Sequence, residues 1–174
     1  LFFAPAFADE NTEEVIESVT IIGSQEDQKN LAGSGQIISN EGLLKAMDTD
    51  IQKILTAVPG LYMRTEEGYG LRPNISIRGT AIERSAKVAI MEDGVLVAPS
   101  PYTSSSAYYF PTTGRIHSVE VLKGPAAVTQ GPQTIGGAIN LISTPIPNAP
   151  SGKFVQELGE NGMMRTHAYY GGTS

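Results

Sequence analysis

Glycine and proline recur so often along this chain that long regular helices are excluded. Together they occupy 30 of the 174 positions, and they separate apolar runs that are short. Such spacing rules out a helical bundle or a coiled coil and predicts frequent turns. No run approaches the roughly 18 consecutive apolar residues that a transmembrane helix needs. The length suits one domain and is short for two.

Several chemistries are excluded by what the sequence lacks. It contains no cysteine, which removes disulfides, thiolate metal sites and thiol nucleophiles, and its two histidines, His117 and His167, are well separated. The glycine-rich segment 131–137 lacks the Lys-Ser/Thr pair of a phosphate-binding loop, and no G-x-S-x-G motif is present. The net charge of -6 argues against a nucleic-acid partner. We therefore predict no enzyme activity, no catalytic residue, no resident cofactor and no metal site.

The acidic residues are concentrated at the start of the chain. Seven Asp or Glu residues and no Lys or Arg precede position 28, whereas eleven acidic and twelve basic residues follow. An acidic leader thus precedes a nearly neutral body. Residues 1–8 are apolar, and Ala6 and Ala8 have the spacing of a signal-peptide cleavage site. We interpret residues 1–8 as a signal-peptide remnant, with an arbitrary apolar fragment end as the alternative.

The leader carries one apolar patch. Residues 9–35 are rich in charged and small polar side chains, apart from the β-branched run 19–22. A run of this kind cannot bury itself locally. We expect it to be mobile and available to pair with another chain.

Helical periodicity is confined to residues 41–58. A first helix is predicted over 41–47, with Ser39 or Asn40 as its cap. A second begins after Asp48 or Thr49 and ends at the pair Pro59-Gly60. Its apolar residues recur at the spacing of one helical face: Ile51, Ile54, Leu55 and Val58.

Short strands separated by turns make up most of the remainder. Runs of β type are found at 61–64, 74–78, 88–91, 95–97, 118–123 and 138–143. Asp93-Gly94 lies between two of them and predicts a two-residue hairpin turn, in which both residues need positive φ. Two long connections, 65–73 and 98–111, are of the length that functional loops have.

The residue pattern of the last part of the chain predicts a hairpin. Two strands are expected at 153–158 and 165–170, after a proline-rich linker. Alternation in the second strand separates two sets of side chains: Thr166, Ala168 and Tyr170 on one side and Arg165, His167 and Tyr169 on the other. This pattern fits a transmembrane barrel strand or an ordinary half-exposed strand.

Taken in order, these residues resemble the plug of TonB-dependent outer-membrane receptors. Residues 17–24 (ESVTIIGS) resemble a TonB box, and 51–60 (IQKILTAVPG) resemble the helix that opens the plug. The blocks SIRG (76–79), MEDGVLV (91–97) and VEVLKGPAAVTQGPQTIGGAINLIS (119–143) follow in the family's order. The stretch DGVLVAPSPY (93–102), followed by GPQTIGG (131–137), resembles receptors of the ferric citrate type most.

The resemblance implies an α+β fold. A plug with a small mixed β-sheet, short helices and long apical loops would be followed by the first strands of a truncated transmembrane β-barrel. Residues 9–35 would be a periplasmic tail with the TonB box, 36–148 the plug domain, and 149–174 the start of the barrel. The protein would lie in the outer membrane of a Gram-negative bacterium, with this segment in the barrel lumen.

The resemblance also implies partners and contact residues. TonB, working with ExbB and ExbD in the inner membrane, would add the box as a strand: Glu17, Ser18, Val19, Thr20, Ile21, Ile22 and Gly23. The alternative for this segment is a strand of the plug sheet itself. Arg78 and Lys123 resemble the plug half of a contact with glutamates of the barrel wall, although Lys123 stands where the family usually has Arg. The alternative is that both are solvated strand ends.

The two long connections are the expected ligand-binding loops. With Arg64 at the edge of the first, their basic, phenolic and hydroxyl side chains suit an anionic ferric chelate, in which iron is cargo: Arg64, Tyr69, Arg72, Tyr102, Ser104, Ser105, Tyr108 and Tyr109. The implied function is admission of this chelate to the periplasm with TonB-transmitted energy. A secreted β-rich binding or adhesion module without transport is the alternative.

Overall fold

The computed structural model describes residues 20–23, 26–31, 33–46, 50–65, 73–97 and 111–173. The chain divides into two compact units, of which one comprises residues 18–144 and the other contains residues 145–174. Among the described residues, no helix is long and apolar enough to cross a membrane. The expected signal remnant, residues 1–8, lies outside the described part of the chain.

The first unit is built on a mixed sheet. Its strands are β1 (Ser34–Ile38), β2 (Leu61–Thr65), β3 (Pro73–Ile77), β4 (Val88–Glu92), β5 (Val95–Leu96), β6 (Ile116–Lys123) and β7 (Gly137–Ser143). Five of these form one sheet in the order β1-β6-β7-β4-β5, and β2 pairs with β3 separately. Strands β4 and β7 run parallel, while the other pairs within the described residues are antiparallel. The predicted α+β fold with a small mixed sheet and short helices is confirmed.

The main core fills the space between one face of this sheet and the elements that cover it. Helices α1 (Asn40–Ala46) and α2 (Ile51–Leu55) contribute Leu43 and Leu55, and β3 contributes Ile75 and Ile77. The sheet contributes alternate apolar residues of its strands: Val88, Ile90, Val119, Val121, Ile139 and Leu141. The period of two places the intervening residues on the opposite face, where they form a second, smaller cluster.

Several local predictions can be checked against the backbone. Asp93 and Gly94 both have positive φ, +48° and +77°, as the predicted hairpin turn requires. The N-cap of α2 is Asp50, whose side chain accepts the Gln52 N–H at 2.9 Å, so the prediction of Asp48 or Thr49 is wrong. Strand β1 was missed, since its only strongly β-forming residues are Ile37 and Ile38. Its five residues pair with β6 along their whole length.

The second unit is a hairpin of β8 (Ser151–Leu158) and β9 (Met164–Gly171). Phe154 lies opposite Ala168 and Gln156 opposite Thr166, so these residues share one face with exposed Leu158 and Tyr170. On the other face Arg165 pairs with Glu157 at 3.2 Å. The predicted division of the second strand into two faces is confirmed.

Candidate functional site

The tail segment 20–23 is held against the sheet by one carboxylate. Ile21 N–H donates to Glu120 Oε2 at 2.7 Å, and the N–H groups of Ile22 and Gly23 donate to Glu120 Oε1, both at 3.1 Å. Gly23 has φ +83° where this turn closes. Three successive amides that converge on one anion form the kind of concavity that backbone N–H groups build for anions. We call this arrangement the Glu120 clasp.

Strand β6 positions Glu120 within the sheet. Its side chain is 1% exposed, and Asn140, its register neighbour on β7, is fully buried. Asn140 Nδ2 donates to Glu120 Oε2 at 3.1 Å, while Asn140 Oδ1 accepts the Gly94 N–H at 3.0 Å. Burial of a carboxylate is costly unless hydrogen bonds replace its water. Here four N–H donors replace it, and within the described residues no basic side chain forms a salt bridge with Glu120.

Apolar contacts reinforce the clasp. Ile22 is 6% exposed and packs in the second cluster with residues from three strands and the turn after β6: Ala89, Met91, Leu122, Ala127 and Ala138. Ile21 and Leu31 pack against its margin. The expectation of a mobile patch is therefore wrong for Ile21 and Ile22, whose N–H groups bind a long-range partner and of which Ile22 is buried. The alternative of a sheet strand also fails for these residues, whose amides bond a side chain and whose backbone forms a bend.

Two basic residues meet at the end of β6. Lys123 is 6% exposed, and its Nζ donates to the Pro59 carbonyl at 2.9 Å. Burial, and to a smaller extent the Arg78 charge, lowers the pKa of Lys123 below its ordinary value. Arg78 is exposed, in a turn with φ +54°, whereas Lys123 is buried and is therefore not a solvated strand end. Within the described residues neither forms a salt bridge with a carboxylate.

Most of the expected ligand residues lie outside the described residues. These are Tyr69, Arg72, Tyr102, Ser104, Ser105, Tyr108 and Tyr109. Arg64 is described and lies exposed near the end of β2, opposite Asn74 on β3. Of the expected TonB-binding residues, Glu17, Ser18 and Val19 are outside, and Thr20 is exposed beside the clasp.

Sequence reasoning missed Glu120 and Asn140. The only signal was a carboxylate and an amide in strands whose other residues are apolar, where either side chain needs a buried partner. Glu120 is separated by 97 to 99 positions from its three backbone partners, so no local pattern connects them.

Comparison with known proteins identifies the family. The TonB-dependent Receptor Plug Domain family matches residues 27–138, which include four strands of the five-stranded sheet and the first two residues of β7. This chain belongs to that family.

Two curated relatives are transport or outer-membrane proteins. The chain is 31% identical over 150 residues to an iron-regulated outer membrane virulence protein of Vibrio cholerae serotype O1. It is 27% identical over 136 residues to the vitamin B12 transporter BtuB of Photobacterium profundum. The alignments cover 82% and 78% of this chain but 22% of each relative. The chain thus spans about a fifth of the length of these relatives.

Solved structures share the fold. The ferric citrate transporter FecA in its unliganded form aligns with a TM-score of 0.68 at 22% identity, covering 90% of this chain and 28% of FecA. The ferric yersiniabactin uptake receptor FyuA of Yersinia pestis aligns with a TM-score of 0.66 at 23% identity, covering 84% of this chain and 22% of FyuA. At these identities the likeness establishes the fold.

Proposed function

We propose that this chain is the plug part of an outer-membrane receptor that admits an extracellular ferric chelate to the periplasm using energy transmitted by TonB. The match of the plug family over residues 27–138 carries the proposal. Names of the relatives support iron as cargo, since FecA takes ferric citrate, FyuA takes ferric yersiniabactin and the Vibrio protein is iron-regulated. The process is transport, with no covalent chemistry.

The tail would engage TonB. A strand-adding partner is bound through backbone N–H and C=O groups, so a segment of about seven residues such as 17–23 can pair with little sequence specificity. Ile21 and Ile22 have the β-branched side chains that favour an extended backbone. ExbB and ExbD would supply TonB with energy from the inner membrane. In this arrangement the tail lies in the periplasm and residues 36–148 lie in the barrel lumen.

The loops at 65–73 and 98–111 would face the chelate. Ferric chelates with free carboxylates or phenolates are anionic, and Arg64 and Arg72 offer charge-assisted hydrogen bonds. The proposed aromatic and hydroxyl contacts come mainly from the second loop: Tyr102, Ser104, Ser105, Tyr108 and Tyr109. Tyr69 would add a phenol from the first.

The pair of Arg78 and Lys123 would bind carboxylates of the barrel wall. Burial and, to a smaller extent, repulsion by Arg78 lower the pKa of Lys123, and neither cation has an acidic partner among the described residues. A carboxylate placed between them would relieve the repulsion. Residues 149–174 would start the barrel. The face with Phe154 and Tyr170 suits lipid, and the face with Glu157 and Arg165 suits the lumen.

Growth under iron limitation tests the proposed function. A strain that lacks the receptor is complemented with the full gene and supplied with one chelate at a time. We expect growth to be restored by at least one ferric chelate. In a separate arm, iron-replete cells whose growth requires external cobalamin are supplied with it, because one relative is a vitamin B12 transporter. Rescue in the cobalamin arm alone would replace iron as the cargo, and absence of rescue in both arms would contradict transport.

A further inference from the structure

We propose that Asn161, at the tip of the β8–β9 hairpin, is a site of spontaneous deamidation, and that the fold protects Asp93, at the tip of the β4–β5 hairpin, from the equivalent reaction. Each of these residues precedes a glycine, Gly162 and Gly94 respectively. The sequence contains no other Asn-Gly or Asp-Gly pair. The reaction needs only the peptide and water, so it does not depend on the proposed function.

Deamidation joins the side chain of Asn161 to its own backbone. The Gly162 nitrogen attacks Cγ of Asn161, so that an N–Cγ bond forms and the Cγ–Nδ2 bond breaks. The proton of the Gly162 nitrogen leaves with Nδ2 as ammonia. A water molecule then opens either carbonyl–nitrogen bond of the cyclic imide, which gives aspartate or isoaspartate. Glycine favours the first step because it has no side chain to hinder the attack and allows a wide range of backbone angles.

The tip of the β8–β9 hairpin leaves Asn161 accessible to this reaction. Asn161 and Gly162 are both exposed, and the Asn161 side chain forms no hydrogen bond with another described residue. In the closed turn Asn161 has φ +57° and ψ +28°, which directs the Gly162 nitrogen away from Cγ. The turn must therefore open before the ring can form. Opening breaks the bonds from Met163 N–H to the Glu160 carbonyl, 3.2 Å, and from Gly159 N–H to the Met163 carbonyl, 2.8 Å.

The turn at Asp93 costs more to open. Asp93 and Gly94 also have positive φ, +48° and +77°. The Asp93 carboxylate accepts from Ser143 N–H at 2.9 Å and from Ser143 Oγ at 2.6 Å, and Asp93 N–H donates to the Leu141 carbonyl at 3.0 Å. The Gly94 nitrogen, which would have to attack, donates its proton to Oδ1 of fully buried Asn140 at 3.0 Å. Strand β7 thus holds both the carboxylate and the attacking nitrogen.

The two products would change the hairpin differently. Aspartate adds a negative charge beside Glu160, and like asparagine it tolerates the left-handed region, so the turn can close again. Isoaspartate routes the main chain through its side-chain carbons and lengthens the turn. Pairing of Leu158 with Met164, at the end of the ladder beside the turn, should then loosen.

Ageing of the purified full-length protein tests the proposal. The protein is kept in mildly alkaline buffer, digested and analysed by mass spectrometry, with enzymatic methylation of isoaspartate as an independent readout. We expect the peptide that contains Asn161 to convert into a mixture of aspartate and isoaspartate.

Asp93→Asn is the matched comparison, because it places a second Asn-Gly pair in the protected turn. Asparagine can keep both contacts with Ser143, by accepting from its N–H and donating to its Oγ. In the folded variant, position 93 should convert about a hundredfold more slowly than position 161, the scale of a few additional hydrogen bonds. In guanidinium chloride the two positions should convert at the same rate, because neither turn is formed. Asn161→Asp should show no change in mass with time at position 161.

The outcomes separate the site from its protection. An intact Asn161 in folded protein, under conditions in which unfolded protein converts, would overturn the modification site. Equal rates at positions 93 and 161 of the folded Asp93→Asn variant would overturn the protection by β7. If this variant does not fold, the parent decides: isoaspartate should form at Asp93 in guanidinium chloride and not in the folded protein, and equal rates in the two states would contradict the protection.

Discussion

Ile21→Pro should reduce energised uptake of the chelate to background while binding of the chelate at the cell surface stays at the parent level. Proline has no N–H to donate to an added strand, and its ring restricts φ near −65°. A TonB-bound tail would therefore lose a ladder hydrogen bond in its centre. The expected ligand residues lie far from position 21 in sequence, in the two long loops and, for Arg64, at the edge of the first. Uptake of labelled iron into cells, compared with surface binding at low temperature, measures both quantities.

The same substitution separates release of the tail from its capture. Ile21 N–H makes the 2.7 Å bond to Glu120, so proline also removes one bond of the clasp. We expect a looser tail that nevertheless fails to support uptake. Ile21→Val is the control, since it retains the N–H and the β-branched shape and should transport at the parent rate. Parent-level uptake by Ile21→Pro would refute the assignment of residues 17–23 to TonB.

Gly137→Ala should destabilise the plug much more than Gly79→Ala, although each adds one methyl group. A Cβ at Gly137 would lie 2.3 Å from the Leu122 carbonyl oxygen and 2.8 Å from Ile77 Cδ1, and the residue has φ +155°. The carbonyl belongs to the ladder of β6 and β7, so it cannot move without loss of sheet pairing. We expect a cost of more than about 3 kcal/mol, in the range that only severe core defects reach. Hydrogen exchange of β6 and β7 amides in the full receptor measures it.

Gly79→Ala is the matched control for backbone strain. Gly79 has φ +78°, and a Cβ there would meet no atom within 4 Å. This variant therefore has the conformational penalty of a left-handed alanine, about 1 kcal/mol, without a steric clash. Exchange in β6 and β7 should change little. If the two variants lose protection equally, the close approach of Leu122 to Gly137 is not what makes glycine necessary at this position.

The strands were predictable where local signals were strong. The turn Asp93-Gly94 and the alternating residues of β9 follow from φ requirements and from the period of two. Strand β1 was not, because it becomes a strand only by pairing with β6, which lies about 80 positions further along the chain. The cap of α2 was also not predictable. Asp48, Thr49 and Asp50 can each accept the first helical N–H groups, so the sequence alone does not show that Asp50 is the cap.

The residue types of the candidate site could be predicted from the sequence, but the contacts between those residues could not. The β-branched residues Ile21 and Ile22 identified the tail segment, but whether it is free depends on a glutamate in a distant strand. Lys123 presents a similar case. Its place at a strand end left a solvated side chain open as the alternative to a barrel contact, and only the packed structure shows it buried, with its Nζ bonded to the Pro59 carbonyl. Long-range partners of this kind leave no local pattern in the sequence.

Dependence of uptake on TonB tests the account most directly. Cells with the full receptor, supplied with the chelate that supports growth, are compared with otherwise identical cells that lack TonB. We predict that iron accumulates in the first cells, whereas the second bind the chelate at the surface and accumulate none above background. Equal accumulation in both would contradict the proposal that this plug is opened through its tail by TonB.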